Sequence, residues 1–530
     1  MSVIHLHHHT DGEPANGLPQ GDIQMKKLNI RFKIALCLAA IMVLATITSA
    51  DTINVPGDQP SIQSGIDVAV NGDEVVVAPG TYFEIINFLG KAITVRSTDP
   101  TDPVVVANTI IDADGSGSVV TCISGEGPDT VIDGFTITGG TGSNDGFCDL
   151  GGGMYNIGSS PTVNNCTFTD NFAEFGGGMY NDFSSPTITN CTFTNNYGFG
   201  GGGIANWSNC SPTITNCTFS ENSSCEGGAG IYDYSGNATV TNCTFTDNYA
   251  DGYGGAIVGG NLVTNCTFSG NAATYQGGGM YTGATVINCT FTGNSAGSGG
   301  GMIAAGTVIN CTFSSNTAGN GGGMAIVNGN PTVTNCTFSE NSATNGRAIA
   351  FEDNWPWPPS NLTLTNCILW DGGGEIYNID LATITISYSN VHGGFAGTGN
   401  IDIDPVFVDP GNGNLRLQPG SPCIDAGANA AVPEGIETDM DGNPRFVDDP
   451  LTKNTGLGSC IIADMGAYEF QDGTTDCCIG DLDGNGSVDT GDLLELFAQW
   501  GTAGSADFDE SGTVNTIDLL ILFANWGQCP

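Results

Sequence analysis

Between Gly176 and Asn196 the chain reads Gly-Gly-Gly-Met-Tyr-Asn, Asp-Phe-Ser-Ser-Pro, Thr-Ile-Thr-Asn, Cys-Thr-Phe-Thr-Asn-Asn. Three short runs alternate apolar and polar residues and are parted by turn formers, which is the pattern of strands rather than of a helix. Ile188 faces inward on one run, and Cys191 and Phe193 face inward on the next. That change of parity requires a bend at Asn190. Asparagine suits a bend because it tolerates left-handed backbone angles and can bond its own backbone. The phrase then recurs. Asn-Cys steps stand at Asn165, Asn190, Asn216, Asn242, Asn265, Asn288, Asn310, Asn335 and Asn366, at intervals of 25, 26, 26, 23, 23, 22, 25 and 31 residues, and the first eight read Asn-Cys-Thr-Phe.

A period in the twenties without helical patterning belongs to a solenoid, whose units bury their apolar faces only against their neighbours. Three strands per turn at this length predict a mostly β fold, a right-handed parallel β-helix. Stacking coils about 4.8 Å apart turns each position into a ladder. Asn165 through Asn366 are expected as an inward amide stack, Phe168 through Phe338 as an aromatic stack in the core, and Cys166 through Cys367 as a column of small buried side chains. Neighbours in that column have parallel Cβ vectors about 4.8 Å apart, against the ~3.8 Å a disulfide prefers, so they are read as free thiols. An inward asparagine cannot carry a glycan, so the eight Asn-x-Thr matches are read as unmodified. A second asparagine follows six residues after each of the first eight, from Asn171 to Asn341. It is expected as a turn ladder.

Glycine supplies 80 of the 530 residues, and ten Lys and Arg stand against 55 Asp and Glu, for a formal charge of −45. Such a surface repels nucleic acid and anionic membrane and favours cations. Met25-Lys-Lys-Leu-Asn-Ile-Arg-Phe-Lys precedes an apolar run from Ile34 to Ile47 and then Thr48-Ser49-Ala50. This order reads as a secretory signal over residues 25–50, with 1–24 an over-extended start. No further apolar stretch is long enough to span a bilayer, so the expectation is a secreted or cell-surface protein. Disulfides are permitted in that compartment.

The coils resemble the pectin-lyase-like β-helix superfamily, and the Asn-Cys-Thr-Phe and Gly-Gly-Gly-Met-Tyr rhythm is similar to repeats of chlamydial polymorphic outer-membrane proteins. Residues 60–97, beginning Pro-Ser-Ile-Gln-Ser-Gly-Ile-Asp-Val-Ala, look like the entry segment of many such proteins, with a helix near Ser61 to Val70 covering the open end of the core. The resemblance implies a cap and first coils over 51–110 and repeats over 111–400. It does not carry a catalytic set across. A pectate lyase needs calcium-binding acids and an Arg or Lys base, whereas Arg347 is the single basic residue between Arg96 and Arg416. A polygalacturonase needs clustered aspartates with a histidine near Arg-x-Lys, and here His392 stands without that motif. The favoured reading is a non-catalytic protein of polysaccharide binding, adhesion or surface assembly; the alternative is a polysaccharide lyase or glycoside hydrolase. Trp355 and Trp357, in Asn354-Trp-Pro-Trp-Pro-Pro359, are glycan-binding candidates because proline holds flat indoles outward.

Over 401–471 the phrases Asp404-Pro-Val-Phe407, Ser421-Pro-Cys-Ile-Asp-Ala-Gly427 and Asp464-Met-Gly-Ala-Tyr-Glu469 resemble a choice-of-anchor Q module, which implies a C-terminal cap and surface attachment. Cys423 and Cys460 are a candidate disulfide across it. After a linker at 472–476, residues 477–530 carry one pattern twice, 26 residues apart. Asp481, Asp483, Asn485, Ser487, Asp489 and Asp492 form the first set, and Asp507, Asp509, Ser511, Thr513, Asn515 and Asp518 the second. Oxygen side chains at loop positions 1, 3, 5, 9 and 12, a carbonyl at 7 and glycine at 6 fit an EF-hand calcium loop. Two calcium ions are the expected cofactors. Aspartate at position 12 and the lack of a helix before each loop look like a type I dockerin, which implies a cohesin-like partner. Thr490-Gly491 and Thr516-Ile517 depart from the Ser/Thr pairs many dockerins present. Cys477 or Cys478 is a candidate to pair with Cys529 and join the ends of this domain.

Overall fold

The structure, a computed structural model, describes residues 50–530 apart from 145, 235, 353–358, 380, 450, 459–460, 472–479, 484–486, 510 and 529–530. Thr52–Pro530 forms one compact unit. Within it the chain winds as a parallel β-solenoid whose coils contribute to sheets of 14, 13 and 12 strands, called here A, B and C. Sheet A runs from Thr52–Val55 to Thr383–Ser387, sheet B from Gly80–Phe83 to Asn390–Val391, and sheet C from Ile86–Asn87 to Ile376–Asn378. A fourth short strand joins the three expected ones. It starts in the hairpin of Ser143–Asn144 with Asp149–Leu150 and continues as Phe172–Phe175, Tyr197–Gly200 and onward to Ser342–Asn345, a ten-stranded sheet D.

The N-terminal end is closed as the sequence predicts. Helix α1 (Ile62–Val68) buries Ile62 and Ile66 over the first coil and begins at a capping box made by Ser61 and Ser64. Glu84 adds its carboxylate to the N–H groups of Ile62 and Gln63 at 2.8 and 2.9 Å. Lys91 Nζ closes the other end of the helix, donating to the carbonyls of Ile66, Asp67 and Ala69.

The core is built of rungs. Phe168, Phe193, Phe219, Phe245, Phe268, Phe291, Phe313 and Phe338 stack with ring centroids 4.6–4.9 Å apart and planes within 6°. Offset aromatic pairs at such spacings attract beyond their buried area. Cys166 through Cys367 are buried free thiols. From Cys191 to Cys336 each cysteine N–H donates to the sulfur one coil further, at 3.4 Å, Cys367 donates instead to Ser389 Oγ at 3.0 Å, and each thiol points back to the carbonyl two residues before it. The column is therefore hydrogen-bonded rather than cross-linked.

The two asparagine ladders exchange the places expected of them. Asn165 through Asn366 do hold left-handed angles, with φ between 50° and 55°. Their side chains face outward, and Asn190, Asn216, Asn242 and Asn265 are exposed, each amide donating to the Oδ1 of the previous rung at 3.2–3.3 Å. With Ile188 and Cys191 both turned inward, the two residues between them lie on the convex side of the bend. The second series, Asn171 through Asn341, is the buried one. Asn222 is typical: its N–H and Nδ2 both donate to Asn248 Oδ1, at 3.2 and 3.0 Å, and Nδ2 also donates to the Phe193 carbonyl at 2.8 Å. At Asn190, Asn216, Asn242 and Asn265 burial thus gives no argument against glycans, and the neighbouring rung occupies those amides; Asn310 and Asn335 are fully buried.

Residues 401–471 do not simply cover the C-terminal end. Ile401 extends sheet B from Asn390, and the segment then runs back along the outer face of that sheet. Phe407, Leu415, Leu417, Cys423, Ile424, Ala426 and Met465 pack on Ile368. Asn366 exchanges hydrogen bonds with Ala428 at 2.7 and 3.0 Å, and Asn310 donates to the Thr438 carbonyl at 2.9 Å. The outward asparagines of the late coils are what this segment grips.

Candidate metal loops and docking surface

The described parts of the tail's two loops match in structure as the loops do in sequence. Helices α2 (Thr490–Ala498) and α3 (Thr516–Ala524) each start at a capping box, Asp489 with Asp492 and Asn515 with Asp518. Asp492 Oδ1 accepts the N–H groups of Leu482 and Asp483, and Asp518 Oδ1 accepts those of Phe508 and Asp509. The position-12 aspartates are thereby buried and aimed back at the loop start. Carboxylate oxygens of Asp481, Asp483 and Asp492 lie within 4.8 Å of one another, and so do those of Asp507, Asp509 and Asp518. These are the two such groups among the described residues. Three carboxylates held that close, all oxygen donors, fit a hard cation. In the second loop Gly512 has φ of 85°, the left-handed turn expected of loop position 6. Asn485 lies outside the described residues; Ser487 opens a short strand, Ser487–Val488, paired with Gly527–Gln528.

The helices carry a feature the sequence reading passed over. Leu494 and Phe497 on the first and Trp500 just past its end are exposed, as are Leu520 and Phe523 on the second and Trp526 just past its end, each residue 26 positions from its counterpart. The tail has its own core of Leu482, Val488, Leu496, Ala506, Phe508, Val514 and Leu522 beneath them. Spacing of three residues puts Leu494 with Phe497 and Leu520 with Phe523 on one helix face, and each tryptophan ring packs beside its phenylalanine, with centroids 5.8 and 5.6 Å apart. Two equivalent apolar faces are thus left in water.

The other predicted residues are scattered. Trp355, Trp357, Cys460, Cys477, Cys478 and Cys529 lie outside the described residues. Cys423 is a buried free thiol whose sulfur accepts from Asn390 Nδ2 at 3.2 Å. Arg347 Nη1 donates to the Asp371 carbonyl at 2.8 Å, while Glu352 accepts from Ser298 and Asn320. His392 stacks on Trp370 with centroids 4.3 Å apart and brings Nδ1 to 3.7 Å from Glu375 Oε1. Glu375 and Asp371 are both buried. Burial, and then the charge of Glu375, hold the Asp371 carboxyl well above the ordinary aspartate range. Glu375 and His392 line a pocket of about 550 Å³ with Ile376, Ile384 and Phe395, at the C-terminal mouth of the solenoid. The Asp-Gly-Gly-Gly-Glu phrase after the last Asn-Cys step was the available signal for this pair, and glycine richness elsewhere in the chain concealed it.

Comparison with known proteins agrees with the coils. A family model described as "Right handed beta helix region" matches residues 121–291 and 260–391. The crystal structure of a pectate lyase, Pel9A, aligns over 80% of this chain and 97% of its own at 15% identity, with a TM-score of 0.35. No curated protein matches the chain. The matched segments together span a little over half of the chain and coincide with the stacked coils, so the chain belongs to the right-handed β-helix family.

Proposed function

We propose that this is an extracellular β-helix that binds polysaccharide or assembles at a surface without transforming its ligand, and that a calcium-folded, dockerin-like tail docks it to a partner protein. The leader over 25–50 supports export. The observation that carries the docking reading is the duplicated apolar face, Leu494-Phe497-Trp500 and Leu520-Phe523-Trp526, set on helices whose first turns close the acidic loops. Calcium would be held by Asp481, Asp483, Asp489 and Asp492 and by Asp507, Asp509, Asn515 and Asp518, and it supplies the countercharge that lets three carboxylates share one small space.

Hydrogen exchange of the full chain with and without chelator tests the metal. Chelation is expected to release protection over α2 and α3 and to leave the coils from Val131 to Ser387 unchanged; protection of both helices in chelator would sink the calcium reading. Docking is tested with a panel of cohesin domains in calcium, where F497A/F523A is expected to weaken capture at least tenfold.

One observation favours a second reading, that of a carbohydrate-active enzyme. Asp371, Glu375 and His392 bring two buried carboxyl groups and an imidazole together, Glu375 and His392 lining a pocket, and these are groups of general acid–base work. Release of reducing ends or unsaturated uronates from a polysaccharide panel, lost in Glu375→Gln, would establish it. No product from folded, calcium-loaded protein leaves the binding reading standing.

A further inference from the structure

The outer face of sheet D carries an aromatic column with one rung missing. In register, Phe172 lies over Tyr197, Tyr197 over Ser223, Ser223 over Tyr249, and Tyr249 over Ala272. Phe172 and Tyr197 are stacked, with centroids 5.3 Å apart and planes 3° from parallel. All three rings are substantially exposed, at 48, 38 and 48%. The two tyrosines lean the same way. Tyr197 Oη meets Cys225 Sγ at 2.9 Å, and Tyr249 Oη meets Thr274 Oγ1 at 3.2 Å. Each contact is to the residue two beyond the ring's own partner in the next coil. The same contact, repeated two coils on, gives both rings one lean. They therefore stand two coil rises apart, about 9.6 Å, with only a serine between them.

A flat ring placed over Ser223 would sit about 4.8 Å from each tyrosine face. That is the spacing at which in-register phenylalanine and tyrosine rings lie within 6° of parallel in this molecule, from 4.6 Å for Phe313 on Phe338 to 5.3 Å for Phe172 on Tyr197. We propose that the Tyr197–Ser223–Tyr249 slot is a binding site for one neutral pyranose ring of a polysaccharide, the sugar taking the place of the absent rung. This rests on the polysaccharide-binding reading and deepens it by naming the site and the class of glycan.

The choice of guest follows from chemistry at the slot. Sugar C–H faces pack on aromatic faces, and the hydroxyl edge needs acceptors and water. Ser223, Cys225 and the exposed Asp251 border the slot: Cys225 Sγ meets Tyr197 Oη, and Asp251 Oδ1, 3.5 Å from Tyr249 Oη, already accepts a hydroxyl from Thr274 at 2.9 Å. No Lys or Arg occurs between Arg96 and Arg347, so nothing in these coils offsets the charge of a uronate or sulfated sugar. A second copy of the chain, carrying −45, is disfavoured on the same ground.

The test is binding of soluble neutral β-linked hexasaccharides, such as cellohexaose and mannohexaose, against hexagalacturonate, by calorimetry and by retention of the full chain on insoluble polysaccharides. At least one neutral oligosaccharide is expected to bind and the uronate not. Ser223→Tyr fills the slot from an outward, half-buried position, and binding is expected to fall more than tenfold with the melting temperature unchanged. Tyr249→Ala is expected to weaken binding about five- to tenfold, the worth of one aromatic contact. If S223Y and Y249A bind and are retained like the native chain, the slot is overturned while polysaccharide binding stands. If the native chain is retained by no polysaccharide, that reading falls and the slot with it. If S223Y instead changes the sedimentation of the chain, the face belongs to a second copy and the proposal is overturned.

Discussion

At the residue scale, the two asparagine ladders are the sharpest test of how a coil is held. Asn242 is exposed and left-handed; glycine meets the backbone demand and gives up only two solvent-exposed amide hydrogen bonds, to Asn216 and from Asn265. Asn242→Gly is expected to change stability by no more than about 0.5 kcal/mol. Asn248 is buried and gives Oδ1 to the N–H and Nδ2 of Asn222 and an N–H to the Phe219 carbonyl. Asn248→Ala leaves those groups without partners, at about 1–3 kcal/mol each, and denaturant unfolding should record the contrast between the two variants. The residues themselves contained this answer. Parity at Ile188 and Cys191 puts Asn190 outside, and the bend was legible while its side was misjudged, because a stack of amides was taken to need the interior. A second residue-scale outcome concerns pH. Burial, reinforced by the charge of Asp464, pushes Asp425 up to about 9, and burial pushes Asp464 up to about 7. Both carboxyls bind a proton more tightly folded than unfolded, so their contribution to stability is complete below pH 4 and is lost as pH rises toward those values. The protection factors of the amides around Cys423 to Gly427, taken relative to free-peptide exchange at each pH, should therefore fall between about pH 4 and 9, and Asp425→Asn should flatten that fall.

At the scale of elements, the strands, the entry helix and the tail helices were readable because each has local grammar: alternation, a serine cap, an aspartate at the first turn. Sheet D was not. Its strands, such as Tyr197-Gly-Phe-Gly200 and Ser295-Ala-Gly-Ser298, are glycine-rich and look like turn sequence; they pair only because the coils beneath fix their register. The acidic loops were legible because ligand spacing is local, whereas the pairing of Glu375 with His392 depends on two turns of the last coils. Helix α1 supplies the prediction here. Lys91→Met removes three charge-assisted hydrogen bonds from its C-terminal carbonyls. The helix is expected to lose about 1.5–3 kcal/mol of local stability, seen as faster exchange and cleavage within Ile62–Val68 while the coils from Val131 onward keep their protection.

At the scale of the whole molecule, coils that touch only their neighbours make length an adjustable quantity. Excising Cys266–Asn288 joins Asn265 to Cys289 and regenerates Asn-Cys-Thr-Phe at the junction. Sheets A to D should close over the gap in register, so the shortened chain is expected to give the far-ultraviolet spectrum of the native one and to unfold as cooperatively. A disordered spectrum would mean that distant coils depend on one another. The column of cysteines carries a different consequence, one of timing. The chain holds 19 cysteines, and nine of them end up in a single buried file where no oxidant reaches. Before the coils wind, those same thiols are free to react with any partner that diffuses past. In an oxidising medium winding is thus in a race with cross-linking, and each coil laid down shelters the sulfur of the one before it, so the yield of native solenoid is set by which process finishes first.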